Sequence, residues 1–228
     1  MGFKSKYAPL RGTGRMPKRA LVEHRPWLLA AIVAATVYFF VRDWQIGELW
    51  LILLKGAGVG FLAIYALARH ASADGRLLAL VMALSALGDM LLELDFIWGG
   101  AAFFASHLAA MSLYLRNLRE NPAPSQKALA VTLLVATPLV TWLLIGDVEV
   151  AIYALALGGM AACAWMSRFP RYRVGVGAVL FVISDWLIFA RMGPLATSDL
   201  PALLIWPTYF AGQLLIATGV IQTLRRQV

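Results

Sequence analysis

The chain has 228 residues, of which 61% are hydrophobic and only 14% are charged, and its mean hydropathy is +0.75. Soluble domains are typically about half apolar and a quarter charged, so both values exclude an ordinary soluble domain. A formal net charge of +8 would indicate nucleic-acid binding in a soluble protein. Here the basic residues lie between apolar runs, which indicates membrane orientation instead. The composition predicts one integral membrane bundle, in contact with membrane lipids and not with nucleic acid.

Eight apolar runs follow one another along the chain and predict an all-α, polytopic bundle of eight transmembrane helices. The runs cover residues 26–41, 48–68, 76–94, 96–116, 127–145, 150–167, 174–191 and 203–223. Residues 1–25 form a basic arm ahead of this transmembrane domain, which we place at residues 26–224. We interpret the arm as cytoplasmic and not as a signal peptide, because its basic stretch is long and no cleavage site clearly follows the first apolar run.

The distribution of Lys and Arg predicts the orientation of the bundle. Of the 20 Lys and Arg residues, 17 fall in segments on the side of the N-terminus, two fall on the opposite side, and Lys55 lies inside a span. Cytoplasmic segments of membrane proteins carry such an excess of basic residues. The bias therefore predicts that both termini are cytoplasmic, and an odd number of spans would destroy it.

Ionisable side chains inside the spans predict a buried polar site. Each costs at least about 2.5–3.5 kcal/mol at mid-bilayer on insertion scales, and such residues usually face the bundle interior. Those inside the predicted spans are Lys55, Asp89, His107 and Asp185. At a rise of about 1.5 Å per residue, all four fall between the midplane and the outer surface. Tyr209 and Gln213 form an i, i+4 pair at a similar depth, so the six side chains are expected to line one cavity.

Two pairs of short sequence words suggest a parallel 4+4 duplication of the bundle. The words around Ser184-Asp185 and Gln213 resemble those around Gly88-Asp89 and His107. Spans 3–4 and 7–8 would then be equivalent and would run in the same directions. The alternative is chance, because short apolar words often match.

Each of these residues can also be interpreted as purely structural, with no part in catalysis or binding. Lys55 could extend to the outer interface, His107 could be a simple interhelical hydrogen-bond partner, and Asp89 could merely pair with Lys55. Glu93, one helical turn beyond Asp89, is interpreted as an interfacial carboxylate. Two aspartates at mid-depth on different helices favour function. A catalytic zinc site usually needs about three protein ligands, often histidines, and only one of the three histidines lies within a span, so we expect no metal.

In these residues the chain resembles the YhhN-like lysoplasmalogenase family of multi-pass membrane proteins, over about residues 50 to 220. The motifs that carry the resemblance are Lys55 in span 2, Gly88-Asp89 followed by two leucines, His107 in a Phe-rich helix, Ser184-Asp185, and Tyr209-x3-Gln213. The chain departs from the family pattern in two places. Gly56 follows Lys55 where the family has proline, and Ala109 and Ala110 follow His107 where an aromatic residue is expected.

The resemblance implies hydrolysis of the vinyl ether bond of a lysoplasmalogen. The products would be a fatty aldehyde and a glycerophospho-alcohol, either glycerophosphoethanolamine or glycerophosphocholine. The reaction needs a protonated acid and a group that activates water, which two carboxylates can supply without a cofactor or metal. Asp89 and Asp185 are then the expected catalytic pair in a bacterial cytoplasmic (inner) membrane. The expected substrate-binding residues are Lys55, His107, Ser184, Tyr209 and Gln213.

A proton- or ion-coupled transporter of small molecules is the alternative function. Asp, Lys and His at mid-membrane also suit ion relays, and a 4+4 repeat suits alternating access. An enzyme would release aldehyde without a gradient, whereas a carrier would move solute and release none.

Overall fold

The computed structural model describes residues 25–45 and 47–226. This part of the chain forms eight α-helices: α1 (Pro26–Val41), α2 (Glu48–Arg69), α3 (Ala73–Leu91), α4 (Phe96–Leu115), α5 (Pro124–Ile145), α6 (Val148–Met166), α7 (Val176–Met192) and α8 (Leu200–Arg225). A π-helical turn, Arg171–Gly175, leads directly into α7. The predicted all-α class is confirmed. The predicted basic arm lies almost wholly outside the described residues.

Helices α3, α5 and α8 each begin three residues before the predicted span. Their first turns contain polar residues or proline, which an apolar run omits although a helix accepts them there. Ser72 caps α3 by accepting a hydrogen bond of 3.1 Å from the Gly75 N–H. Pro124 is the first residue of α5, and Pro201 is the second residue of α8. The apolar runs therefore indicate the position of every helix but underestimate the length of some of them.

Short connections divide the bundle into two ends of opposite charge. The acidic end contains the connections α1–α2, α3–α4, α5–α6 and α7–α8, and seven of the 11 acidic residues in the described part of the chain lie in these connections or in the first turn of the helix that follows. The basic end contains the other three connections. There Asn117 donates a 2.9 Å hydrogen bond to Asp74 at the start of α3 and accepts one of 2.7 Å from Arg168. An antiparallel bridge between Leu118 and Ser167 also joins the α4–α5 loop, which contains Asn117, to the α6–α7 loop, which contains Arg168. We call the contacts among Asp74, Asn117 and Arg168 the Asn117 network.

The two halves of the bundle repeat the same helix neighbours. The contact of α1 with α2 corresponds to that of α5 with α6, and the contact of α3 with α4 corresponds to that of α7 with α8. The halves interlock through α2 with α8 and α4 with α6. A parallel 4+4 duplication would produce these pairs. The repeat is imperfect, because α5 packs on α7 whereas α1 and α3, both described, are not in contact.

The exposed surface of the bundle is suited to lipid. Six helical segments within the described residues are long and apolar enough to cross a membrane, and α1, with 16 residues, is a shorter apolar helix. Large apolar side chains such as Val33, Leu67 and Leu139 are more than half exposed on the outer faces of these helices. Such a surface marks an integral membrane protein. The count of eight spans and the orientation of the bundle stay predictions.

Two glycines allow α7 and α8 to touch at the backbone. A Cβ atom built on Gly212 would lie 2.7 Å from the Gly177 carbonyl oxygen, and one built on Gly177 would lie 2.7 Å from the Gly212 oxygen. Close approach of this kind is typical of membrane helix pairs with small residues at their contact. The crossing fixes the spacing between the helices that carry Asp185 and Tyr209.

Candidate active site

A cavity of about 630 Å³ opens at the acidic end of the bundle. Its wall is mostly apolar and is built mainly from α3, α4, α6, α7 and α8, with Lys55 from α2 and Ile145 from α5. The charged residues in the wall are Lys55, Asp89, Asp147, Glu149 and Asp185. The volume falls within the range of roughly 300–1,000 Å³ that is usual for small-molecule sites, and the mixture of apolar wall and a few polar groups is also usual. Both predicted catalytic aspartates therefore border one space.

Asp89 lies in the last turn of α3 and is only 2% exposed. The Tyr209 hydroxyl, from α8, donates a hydrogen bond of 2.8 Å to its Oδ2 atom. The neighbouring Gly88 is needed for packing, because a Cβ atom there would lie 2.7 Å from the ring of Phe103 on α4. The Gly88-Asp89 dipeptide thus combines a close helix contact with a buried carboxyl group that faces α8.

Asp185 on α7 is held in a similar way. The Tyr153 hydroxyl, from α6, donates a hydrogen bond of 2.6 Å to its Oδ2 atom. Ser184 lines the cavity, but its hydroxyl donates mainly to the Phe181 carbonyl oxygen at 2.7 Å and lies 3.4 Å from Asp185 Oδ1. Each aspartate therefore has a tyrosine from another helix as its main hydrogen-bond donor. A buried carboxyl group needs such a partner.

Tyr153 is the site residue that the sequence analysis missed. One tyrosine in a long apolar helix disturbs neither the hydropathy nor the charge pattern, so it gives no signal by itself. Its position could have been found from depth, because it lies five residues into α6 from the acidic end. That is the layer in which Lys55 and Asp185 were already placed.

His107 and Gln213 do not line the cavity that holds the aspartates, and this corrects the predicted common lining. Both are buried beneath it, around a separate void of about 10 Å³ that also contacts Ser85 and Ser106. That void is far too small for a lipid. His107 Nε2 lies 3.1 Å from the Tyr153 hydroxyl oxygen. The histidine therefore reaches Asp185 only through Tyr153, in a hydrogen-bonded chain of three side chains.

Lys55 lines the cavity but forms its ion pair with Glu93 and not with Asp89. The Lys55 side chain is 14% exposed and that of Glu93 is 42% exposed, so the pair lies at the border between cavity and solvent. The sequence analysis interpreted Glu93 as an interfacial carboxylate, which agrees with its partial exposure, and the structure adds Lys55 as its partner. Among the described residues, no group of three His, Cys, Asp or Glu side chains could hold a metal ion.

Comparison with known proteins covers all of these residues. The model of the YhhN family matches residues 50–220, which is more than half of the chain. A protein of Mycobacterium bovis named lysoplasmalogenase is 32% identical over 178 residues, covering 72% of this chain and 68% of the relative. A protein of Mycobacterium tuberculosis with the same name matches to the same extent, and no solved structure matches. With the Gly-Asp, Ser-Asp and Tyr-x3-Gln motifs all inside the matched range, the chain belongs to the YhhN family.

Proposed function

We propose that this chain is a lysoplasmalogenase of the bacterial cytoplasmic membrane. It hydrolyses the vinyl ether bond of a lysoplasmalogen to a fatty aldehyde and glycerophosphoethanolamine or glycerophosphocholine. The observation that carries the proposal is a mostly apolar cavity bordered by two buried aspartates, each hydrogen-bonded to a tyrosine. Family membership and the two relatives named lysoplasmalogenase indicate a hydrolase and supply the substrate class.

The chemistry requires an acid, a base and an anion near a developing cation. A proton first adds to the β-carbon of the vinyl ether, leaving an oxocarbenium ion between the α-carbon and the ether oxygen. Water then adds to the α-carbon and loses a proton, giving a hemiacetal. The hemiacetal hydroxyl then loses its proton as the bond to the glycerol oxygen breaks, the glycerol oxygen takes a proton, and the aldehyde leaves. One molecule of water is consumed, and the overall reaction involves no oxidation or reduction.

In this proposal, Asp89 and Asp185 divide the acid and base roles. Two carboxyl groups in one water-poor site favour a state with one protonated and one ionised member. The protonated aspartate delivers the proton to carbon, and the ionised one stabilises the cation and receives the proton of the attacking water. Tyr209 and Tyr153 each hold one carboxyl oxygen, which fixes the orientation of the group and leaves its second oxygen for the reaction.

The other predicted site residues receive different roles. Lys55, Ser184 and Tyr209 border the cavity, so they are assigned to substrate contact, with Lys55 receiving the phosphate. His107 and Gln213 lie behind the wall and are assigned to positioning, His107 through Tyr153. The apolar wall, including Phe96, Phe104 and Ile152, holds the alkenyl chain.

Aldehyde release is the direct test of the proposed function. We expect the purified protein, without any ion gradient, to release fatty aldehyde from a 1-alkenyl lysophospholipid. It should not cleave the matched 1-alkyl lipid, because a saturated ether has no double bond to protonate. Absence of aldehyde from a well-folded preparation would contradict the proposal, and gradient-driven solute uptake without aldehyde would favour the transporter.

We further propose that the bundle crosses the membrane eight times with both termini in the cytoplasm. The acidic end and its cavity then face outward, as the distribution of basic residues predicts. Reporter fusions after residues 97, 147 and 196 should report outside, and fusions after residues 72, 121 and 171 should report inside. An opposite result at any two of these positions would overturn the topology without affecting the activity test.

A further inference from the structure

The Lys55–Glu93 ion pair contains a negative charge, that of Glu93, to which the proposed function gives no role. Lys55 projects from α2 and borders the cavity, while Glu93 follows the end of α3 and is partly exposed. Asp89, on the same side of α3, lies about one helical turn deeper along the chain. A substrate with its vinyl ether at the aspartates would therefore bring the groups beyond its glycerol toward this pair.

The pair has unused binding capacity for both signs of charge. A lysine ammonium has three N–H donors and a carboxylate has about four lone-pair sites. The contact between Lys55 and one oxygen of Glu93 occupies one donor and one of the acceptor sites. The remaining donors and acceptors can accommodate an anion and a cation side by side without separating the two side chains.

We propose that the Lys55–Glu93 pair selects lysolipids with a zwitterionic head group. Lys55 binds the phosphate and Glu93 binds the ammonium, so that each charge of the substrate meets its opposite. The inference rests on the proposed function and adds a specificity determinant to it. In phosphoethanolamine the two charges are separated by only an oxygen and two carbons, so their binding groups must be neighbours, as this pair is.

Two other carboxylates at the acidic end, Asp147 and Asp95, suit this role less well. Asp147 accepts hydrogen bonds of 2.7 and 3.2 Å from the Glu149 and Val150 N–H groups, which uses one of its oxygens to cap α6. Asp95 caps α4 in the same manner. Glu93 has no capping role and is the carboxylate in contact with the lysine. A head group without a cation would bring a second negative charge to the pair, so that Lys55 alone would have to balance both the phosphate and Glu93, which is unfavourable.

The test compares two 1-alkenyl lysophospholipids that differ only in carrying ethanolamine or glycerol as head group. We expect the wild-type protein to have the higher kcat/KM for the ethanolamine lipid. Glu93→Gln should lower this preference by about three- to tenfold, a modest effect because the pair is partly exposed. Lys55→Met should raise KM for both lipids, since both contain phosphate.

Asp95→Asn is the matched control. It removes the same charge from the same end of the bundle, while asparagine retains the capping of α4, so the head-group preference should be unchanged. Added salt supplies a test that needs no variant, because screening of this partly exposed site should reduce the wild-type preference.

Three results would overturn the inference. The first is equal cleavage of both lipids by the wild-type protein. The second is a preference that persists unchanged in Glu93→Gln. The third is a preference that does not change with salt. In each of these cases the proposed hydrolysis itself would stand. Release of no aldehyde from either lipid would instead contradict the proposed function, and the inference would fail with it.

Discussion

Asp89→Asn and Asp185→Asn are each expected to lower kcat for aldehyde release by about 10²–10⁴, the usual contribution of a positioned proton donor or acceptor. Asparagine retains the shape of the side chain and can still accept the hydrogen bond from Tyr209 or Tyr153. It can neither deliver a proton to carbon nor carry the negative charge. The measurement is aldehyde release by wild-type and variant proteins purified to the same monodispersity.

The tyrosine variants are the matched comparison. Tyr153→Phe and Tyr209→Phe remove the hydroxyl that orients each carboxyl group but leave the carboxyl group in place, so each should cost less than the corresponding Asp→Asn change. His107→Gln should cost less again, because His107 reaches Asp185 only through Tyr153. Near wild-type rates in both asparagine variants would contradict the carboxylate mechanism.

Gly212→Ala is expected to destabilise the bundle and to lower activity with it. The new methyl group would lie 2.7 Å from the Gly177 oxygen and 3.3 Å from the Phe181 nitrogen. Both are backbone atoms, so α7 and α8 must separate to make room. Overpacking of this kind typically costs about 1–3 kcal/mol and sometimes more. The separation would also move Asp185 on α7 relative to Tyr209 on α8. Thermal unfolding in detergent measures the first effect and aldehyde release the second.

Gly60→Ala is the control for this change. Gly60 also lies inside a helix, but its nearest neighbour to an added methyl group is the Ala86 side chain at 3.9 Å, an ordinary contact. Replacement of a helical glycine by alanine then stabilises by about 0.5–1 kcal/mol. Gly60→Ala should therefore be neutral or slightly stabilising. If both alanine variants unfold at the same temperature, the backbone contact between α7 and α8 is not what holds these helices together.

The sequence could predict the helices and the two aspartates because both give strong one-dimensional signals. An apolar run long enough to cross a membrane stands out in any hydropathy profile. A carboxylate inside such a run is costly and is therefore conspicuous. Asp89 and Asp185 were identified in this way, and the structure places both in the wall of one cavity.

The partners of these residues could not be predicted, because partnership depends on how the helices rotate and tilt against each other. Depth placed His107 in the same layer as the aspartates, yet rotation of α4 directs it behind the cavity, toward Tyr153. Lys55 had two acidic candidates, Asp89 on α3 and Glu93 just after this helix, and only the packing of α2 against α3 selects Glu93. Depth follows from counting residues, whereas facing direction requires the packed bundle.

The Asn117 network has a consequence for how substrate and product would enter and leave the bundle. Its hydrogen bonds and the neighbouring bridge connect the start of α3, the α4–α5 loop and the α6–α7 loop to one another at the basic end. A carrier has to open alternately at both membrane faces, and opening the bundle at its basic end would require these contacts to break. Under the proposed function, these contacts would make the bundle a chamber closed at its basic end, which substrate and products reach from the acidic end.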